Sequence, residues 1–555
     1  MQARVTGQHL PGRARGGVAL ANAGDVFTEA AEHGSARNKR LASVVRACAA
    51  CRGAPAGHDA YTACVSAPLR PPARRCPPAR AGRVAGLRTT LALALGTASL
   101  ALPAAEPPAA VAAPAAPAAS AAGAVSGTGQ RIYAEMQPRL LQVRTLLKTQ
   151  DSQSSVGSAF LVTAEGHLIT NYHVVSSYAL APQRHRLVYA TVDGQQGALQ
   201  LLAFDVLHDL ALLKPADPAP LRGRGAVPFR ASDGPGSEPE RGARIYSLGN
   251  PLDVGFAVTE GAYNGLAERH YLPTLFFGGS LSGGMSGGPA LDAQGRLVGV
   301  NVAARRDGEQ VSFLVPAALA QALLARGRNA TPITQPVHAE IERQLLAHQA
   351  GLVDAFIQQP WRAASHPRYR IPVPMEAFSR CWGSGTNTAT RGLVFERSDC
   401  TMDSAVFVDE RLRTGTISVR HETYDGSNLG ALRFQQRYND SFHNEVVGRR
   451  DAHRVAAQCT ERTVAAGGGL PLRAVVCLQA YKKLPQLFDL SVLTASLDSS
   501  HAGVQGRLDA QALSFDNAQR LARHYLEGFG WTTTPPSPQT RPKTAPAAAP
   551  KPASR

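Results

Sequence analysis

A serine enclosed by glycines is the feature that most constrains this chain. The stretch GGMSGGPAL at residues 283–291 places Ser286 in a glycine-rich turn just before the strand-like run RLVGVNVAA. A serine that attacks a carbonyl carbon needs two backbone N–H groups directed at the oxyanion that forms, and glycines let the chain turn tightly enough to present them. The segment therefore predicts a nucleophilic serine, with a Gly/Ser turn that has no chemistry as the alternative.

A histidine and a carboxylate suited to serve this serine both occur upstream. A serine hydroxyl is a weak nucleophile unless a histidine removes its proton, and that histidine needs a carboxylate to hold its tautomer. The stretch SAFLVTAEGHLITNYHVV predicts strand, turn and strand, with His173 just past the second strand, and HDLALLK places Asp209 at the head of an apolar run. If that run is extended, the neighbouring His208 faces the opposite side. Other nearby candidates lack the motif context: His167, His185, Asp193 and Asp205.

The order of the three residues narrows the fold. His173, Asp209 and Ser286 follow the chymotrypsin order, which differs from the orders in subtilisin and in the α/β-hydrolases. The motifs TNYHVV, HDLALLK, SLGNPLD and GMSGGPAL occur in sequence over residues 156–316. This stretch, under a third of the chain, resembles the chymotrypsin-like serine peptidases and is most similar to the bacterial Deg/HtrA branch.

The resemblance implies a mainly β fold, with two six-stranded antiparallel β-barrels and the active site in the cleft between them. By this likeness Ser286 attacks the scissile carbonyl, His173 acts as general base and then general acid, and Asp209 orients the imidazole. The N–H groups of Gly284 and Ser286 would form the oxyanion hole. A serine endopeptidase of this kind needs no cofactor or metal and acts on proteins or peptides.

Two positions depart from digestive enzymes of this fold. Met285 precedes the nucleophile, where those enzymes carry an aspartate that pairs with a newly freed N-terminus, so the oxyanion loop must be ordered by its own packing or by a partner. Ser280 stands six residues before the nucleophile, at the position where an aspartate would select Lys or Arg. We therefore expect a neutral specificity pocket that accepts small or aliphatic side chains.

The C-terminal part of the chain predicts a smaller α+β domain of unknown role. Apolar residues recur at helical spacing over residues 335–357, a β-rich region follows over 371–497, and Ser514 is expected to cap a closing helix. No carboxylate-binding glycine loop of a PDZ domain is recognisable, which separates the chain from the usual Deg/HtrA layout. By analogy, a domain that follows a peptidase commonly binds a substrate, a partner or a component of the cell envelope, and an activating partner is one such possibility.

Four cysteines of this domain predict two disulfides in an exported chain. Three pairings are open, and the intervals favour Cys381 with Cys400 and Cys459 with Cys477. Zinc binding is the alternative, although neither pair has the spacing of a ligand knuckle.

The basic charge is confined to the ends of the chain. The formal net charge is +17, yet residues 1–88 carry fourteen Lys and Arg against four Asp and Glu, and residues 541–555 carry four more Lys and Arg. Nucleic-acid binding needs basic residues clustered on a folded surface. The nearly neutral body therefore argues against a nucleic-acid partner.

Composition divides the chain into six segments. We expect residues 1–79 to be disordered or not translated because of a misassigned start site. The alternative is a zinc site formed by Cys48, Cys51, Cys64 and Cys76, of which only the first pair has ligand spacing. The remaining segments are a signal peptide (80–105), an Ala/Pro-rich linker (106–129), the peptidase domain (130–328), the C-terminal α+β domain (335–531) and a disordered Pro/Ala-rich tail (532–555).

A function of a different class also fits this sequence. The chain could keep a peptidase fold without using it and act as a binding or scaffold protein through its C-terminal domain. An intact set of His, Asp and glycine-flanked Ser argues against this alternative, because a pure scaffold has no physical need for all three.

The apolar run Leu91–Leu102 predicts export to the periplasm or beyond. Arginines precede the run, and small residues follow it, which is the layout of a cleavable secretory signal. We predict that sequencing of the mature protein finds an N-terminus just after Ala104 or Ala105. An intact run at the start of the mature protein would instead mean a membrane tether, and Pro103 keeps that alternative open.

Overall fold

The computed structural model describes residues 125–231, 238–304, 310–362, 364, 366–387 and 392–532. The expected signal peptide and the cysteines at positions 48, 51, 64 and 76 lie outside these described residues, as does the tail beyond residue 532.

The first six strands close into an antiparallel barrel. They pair in the order β1-β2-β3-β6-β5-β4. Their bounds are β1 (Leu140–Leu147), β2 (Gln153–Leu161), β3 (Leu168–Thr170), β4 (His185–Thr191), β5 (Gln196–Asp205) and β6 (Leu210–Pro215). Strand β6 shows why these runs are almost wholly apolar: Leu210 and Leu212 pack into one apolar cluster, and Ala211 and Leu213 pack into another.

The next six strands close into a second antiparallel barrel, in the order β10-β11-β12-β9-β8-β7. Their bounds are β7 (Arg244–Gly249), β8 (Ala257–Leu266), β9 (Leu275–Gly278), β10 (Pro289–Leu291), β11 (Leu297–Ala304) and β12 (Ser312–Pro316). The two six-stranded barrels are the chymotrypsin-like arrangement that the sequence implied.

Three α-helices accompany the barrels in the described residues, and no sequence pattern had predicted them. Helix α1 (Gly127–Met136) begins inside the expected linker because the Ser126 side chain caps it by accepting from the Gly129 N–H. Helix α2 (Tyr172–Leu180) begins directly after β3 and carries His173, which the sequence had placed just past that strand. Helix α3 (Ala317–Gly327) follows the last barrel strand directly.

The C-terminal region, residues 335–532, contains a seven-stranded antiparallel sheet with the order β14-β15-β18-β22-β21-β20-β19. Two short pairs, β13 with β23 and the hairpin β16–β17, stand apart from it. The strands are β13 (Tyr369–Arg370), β14 (Arg380–Gly385), β15 (Val394–Thr401), β16 (Val406–Asp409), β17 (Leu412–Thr414), β18 (Ile417–Asp425), β19 (Gln458–Ala466), β20 (Leu470–Ala480), β21 (Phe488–Ser496), β22 (Ala502–Leu513) and β23 (Gly530–Trp531).

Three helices belong to the C-terminal region: α4 (His338–Gln358), α5 (Ala431–Asp440) and α6 (Phe515–Gly528). The expected cap of α6 is confirmed, since the Ser514 side chain accepts from the Asn517 N–H. The apolar face of α6 is buried against the sheet, with Leu521 and Tyr525 fully covered. In the part of the chain that the structure describes, no helix combines the length and apolar character needed to cross a membrane.

The four cysteines lie in two directly facing cross-strand pairs. Cys381 of β14 faces Cys400 of β15, and their sulfurs are 2.03 Å apart. Cys459 of β19 faces Cys477 of β20, with sulfurs 2.05 Å apart. The disulfides therefore join neighbouring strands at the two edges of the sheet, in the pairing that the intervals favoured.

Helix α4 joins the first barrel to the C-terminal region. Its first half buries Ile341 and Leu345 in the same apolar cluster as the barrel residues Leu201 and Leu213. Its second half buries other apolar side chains, Leu352 among them, in the core of the seven-stranded sheet. The sheets are separate, but this helix is shared by both cores.

We predict that Ile341→Ala destabilises the first barrel and the C-terminal region together, because the cavity it leaves lies in an apolar cluster to which both contribute. The expected loss of unfolding free energy is about 2–5 kcal/mol. All three tryptophans lie in the C-terminal region, so tryptophan fluorescence in a urea titration reports that region, and hydrogen exchange of β1–β6 peptides reports the barrel.

The exposed Arg343 on the same helix provides the control, because Arg343→Ala should change stability by less than about 0.5 kcal/mol. Two separated unfolding transitions, with only the barrel affected by Ile341→Ala, would contradict a shared core.

Candidate active site

Asp209 holds His173 at the start of helix α2. The His173 Nδ1 atom lies 2.6 Å from Asp209 Oδ2, and the His173 backbone N–H donates to Asp209 Oδ1 at 2.8 Å. The first N–H groups of a helix have no partner within the helix. Asp209, which lies in a turn far along the chain, supplies an acceptor for the His173 N–H. The same carboxylate orients the imidazole.

The backbone around Asp209 strengthens this attachment. Its carbonyl oxygen accepts from the Tyr172 N–H at 3.1 Å and from the Asn171 side-chain amide at 2.8 Å. Asp209 has a φ of 54° and closes a turn over residues 206–209. Asp209 thus stands at the head of the apolar run as predicted, directly before strand β6 begins at Leu210, but His208 and Asp209 lie in the turn and are not extended.

The competing histidines and aspartates are engaged elsewhere. His208 faces Asp205 at 3.0 Å, and Asp205 also accepts from Arg326 at 3.1 Å. The His167 ring lies within hydrogen-bond distance of the Thr163 hydroxyl and the Arg328 carbonyl. Two further contacts complete the set: His185 with the Ala181 carbonyl, and Asp193 with Arg224.

The glycine-rich turn brings Ser286 up to the first barrel. The Ser158 N–H of β2 donates to the Ser286 carbonyl at 2.8 Å. Gly157 lies between the two sides, because a Cβ atom on it would come within 3.0 Å of both the Ser286 carbonyl and the Val174 side chain. Only Gly157 therefore lies between the Ser286 carbonyl and the side chain of Val174, the residue that follows His173.

Two peptide groups of the turn are fixed by their carbonyls. The Gly283 carbonyl accepts from the Leu252 N–H at 2.7 Å, and the Met285 carbonyl accepts from the Asn301 side chain at 3.2 Å. A trans peptide holds its N–H opposite to its C=O. The N–H groups of Gly284 and Ser286 therefore point away from these partners, and neither donates to an acceptor among the described residues.

Packing within the protein orders this turn. The Ser158 hydroxyl donates to the Gly284 carbonyl at 2.8 Å and accepts from the Asn250 N–H at 2.9 Å. Met285 is buried. Of the two expectations for the oxyanion loop, order through its own packing therefore accounts for this conformation, and no signal in the sequence had singled out Ser158 or Asn301 for it.

Glycine is required at position 284 itself. Gly284 has a φ of 90°, in the region that favours glycine, and a Cβ atom there would lie 2.3 Å from the Asn250 carbonyl. A side chain would have to displace the backbone that fixes the turn.

The Ser286 hydroxyl donates to the Val302 carbonyl at 3.1 Å. Its side chain thus points toward the backbone of β11 in this structure. Ser280, the expected specificity residue, is exposed in the loop between β9 and β10.

The electrostatic setting of His173 combines three influences. Burial by itself would lower the pKa of His173, but the adjacent Asp209 carboxylate raises it by its charge and its hydrogen bond, and the pKa ends above its usual value. Arg413 of the C-terminal region opposes this rise. Over the described ranges, no group of three or more His, Cys, Asp or Glu side chains is arranged to hold a metal ion.

Comparison with known proteins agrees with this geometry. Residues 157–300 match the family described as "Trypsin-like peptidase domain". The chain is similar to a "Probable periplasmic serine endoprotease DegP-like" of Hahella chejuensis, 29% identical over 175 residues that cover 30% of this chain and 34% of that protein. It is also similar to the "Serine protease Do-like HtrA" of Bacillus subtilis, 26% identical over 231 residues that cover 38% of this chain and 49% of that protein.

A solved serine endoprotease from Yersinia pestis aligns with 37% of this chain and 67% of its own length, at 23% identity and a TM-score of 0.31. The chain spans only a third to a half of the length of the two relatives above. Within that span, the double barrel and the matched family agree: residues 157–300 belong to a trypsin-like peptidase domain, and this region is similar to the serine proteases of the Deg/HtrA branch.

Proposed function

We propose that this protein is a serine endopeptidase that cleaves proteins or peptides through an acyl-enzyme on Ser286. The observation that carries the proposal is the double attachment of His173 to Asp209, through the imidazole at 2.6 Å and the backbone N–H at 2.8 Å. A histidine held in this way presents its other nitrogen, Nε2, as the base.

The proposed reaction uses each group in turn. The Ser286 Oγ attacks the carbonyl carbon while His173 takes the hydroxyl proton, and the resulting imidazolium is stabilised by Asp209. His173 then protonates the leaving amine, which leaves an ester on Ser286. A water molecule, activated by the same imidazole, hydrolyses the ester and restores the enzyme.

The oxyanion of both steps would be bound by the N–H groups of Gly284 and Ser286. Their fixed orientation supports this role, because donors that are already aligned require no reorganisation when the charge forms. Loss of one such donor typically costs about 10²–10³ in kcat.

One contact bears on the alternative of a dormant peptidase fold. The Ser286 hydroxyl donates to the Val302 carbonyl, and catalysis requires a rotation about its χ1 angle to direct the hydroxyl toward His173. Rotation between staggered positions is ordinary for a serine, so this contact alone does not favour a scaffold over an enzyme. The C-terminal region then remains the place for an activating partner, as the sequence predicts.

Export to the periplasm or the cell exterior is part of the proposal. Support comes from the "periplasmic" description of the Hahella chejuensis relative, from the expected signal peptide, and from two cysteine pairs at disulfide distance. Disulfides persist in such oxidising compartments.

We predict that a fluorophosphonate probe labels the wild-type protein and that both Ser286→Ala and His173→Ala lose this labelling. Removal of the nucleophile should lower peptide hydrolysis by a factor on the order of 10⁶. Ser282→Ala is the matched control, because Ser282 is an exposed serine of the same loop and its hydroxyl has no proposed role. Labelling that survives in Ser286→Ala would refute the assignment of the nucleophile.

We also predict the pH dependence of the site. Because the unprotonated imidazole is the base, kcat/KM should rise with pH, with a midpoint above the value of about 6.5 for an ordinary histidine. In Asp209→Asn, burial still lowers the pKa of His173 while the carboxylate that raised it is gone. NMR titration of the His173 ring should therefore give a lower midpoint than in the wild type.

The matched control is Asp205→Asn, which removes the carboxylate beside His208 rather than the one beside His173. It should leave the His173 midpoint in place. Equal midpoints in Asp209→Asn and wild type would contradict the proposed electrostatic role of Asp209.

A further inference from the structure

A cavity of about 230 Å³ opens beside Asp209, where both barrels meet the C-terminal region. The first barrel contributes the turn 206–209, and the second barrel contributes Val302 and Phe313. The hairpin β16–β17 contributes Phe407 and Arg413. We call this space the Phe407 cavity. It is continuous with the candidate active site, since Asp209 and Val302 belong to both.

The hairpin is anchored to the helix that carries His173. The Phe407 ring meets the His173 ring edge-on, with centroids 5.9 Å apart and an angle of 71° between the planes. The Tyr172 hydroxyl donates to the Val408 carbonyl at 3.3 Å. Val408 itself is buried in the apolar cluster of the first barrel. The hairpin is therefore a fixed wall next to the reacting groups.

The wall presents an apolar surface. Phe407 is only partly buried in the barrel cluster, and Val302 and Phe313 also line the cavity. An aromatic and aliphatic lining of this kind stabilises a bound ligand by burying an apolar side chain of that ligand.

Arg413 gives the cavity a positive charge. Its guanidinium carbon lies 5.3 Å from the centroid of the Phe407 ring, and its side chain is exposed. No ion pair joins Arg413 to a carboxylate of the described ranges. The two carboxylates that also line the cavity are engaged elsewhere, Asp209 by His173 and Asp403 by Arg380 at 3.0 Å.

We propose that Phe407 and Arg413 are specificity-determining residues, and that the Phe407 cavity receives a substrate segment in which an apolar side chain adjoins an acidic one. The inference rests on the proposed peptidase function. It assigns to the C-terminal region a direct part in choosing the substrate.

The test uses the full-length protein and a library of quenched fluorescent peptides. In the library, each position around the cleaved bond carries Glu, Gln or Lys in turn, with Leu or Gly beside it. For the wild type we expect about a tenfold preference in kcat/KM for Glu over Lys at one position, because like charges brought together at a binding surface are penalised. In Arg413→Glu this preference should reverse at the same position.

Arg411→Glu is the matched charge control. Arg411 is an exposed arginine of the same hairpin that does not line the cavity. Reversal of its charge should therefore leave the preference for Glu unchanged. Phe407→Ala should raise KM about tenfold for peptides with Leu, and Phe407→Leu should restore most of the loss because the surface stays apolar.

The rate of fluorophosphonate labelling separates this inference from the proposed function, because that small probe does not fill the cavity. Wild-type protein that resists labelling would overturn both. Normal labelling and cleavage, with the same peptide preference in Arg413→Glu and wild type, would overturn the specificity role alone. Faster cleavage of every peptide by Phe407→Ala would show that the hairpin obstructs the cleft rather than selecting substrates, and would overturn it as well.

Discussion

The geometry of the site depends on a single carboxylate, which accepts a hydrogen bond at the N-terminus of a helix that it does not belong to. Asp209 accepts the backbone N–H of His173 and binds its imidazole, so one side chain both completes the N-terminus of α2 and sets the direction of the ring. Helix N-termini favour negative charge because their N–H groups lack partners. This gives the pair a structural reason to persist that is independent of chemistry, and any rotation of α2 would have to break it.

The packing of α2 extends this constraint to the C-terminal region. The same apolar cluster contains barrel residues, the first half of α4 and the hairpin β16–β17. A hairpin packed in this way cannot move away from His173 without opening the cluster. The C-terminal region is thus joined to the peptidase barrels through a common core, although the seven-stranded sheet has a core of its own.

Sequence patterns predict local structure best where the hydrogen bond itself is local. The cap at Ser514 is confirmed, because its side chain accepts from the N–H of Asn517, three residues further on. Such patterns did not predict α2. That helix is stabilised by Asp209, 36 residues further on, and a contact at that separation leaves no periodic signal.

The candidate catalytic residues and the two favoured cysteine pairs could be named from the chain alone, because they follow from motif order and residue spacing. The class of fold followed from the resemblance that those motifs carry. The three-dimensional packing was needed to see that Ser158 and Asn301 hold the glycine-rich turn, and that Phe407, with Arg413 over its ring, stands beside His173. The ring contact between His173 and Phe407, for example, joins residues that are 234 positions apart in the chain. Their partners are set by how the barrels and the C-terminal region bury apolar surface together, and burial of that kind is a property of the packed whole.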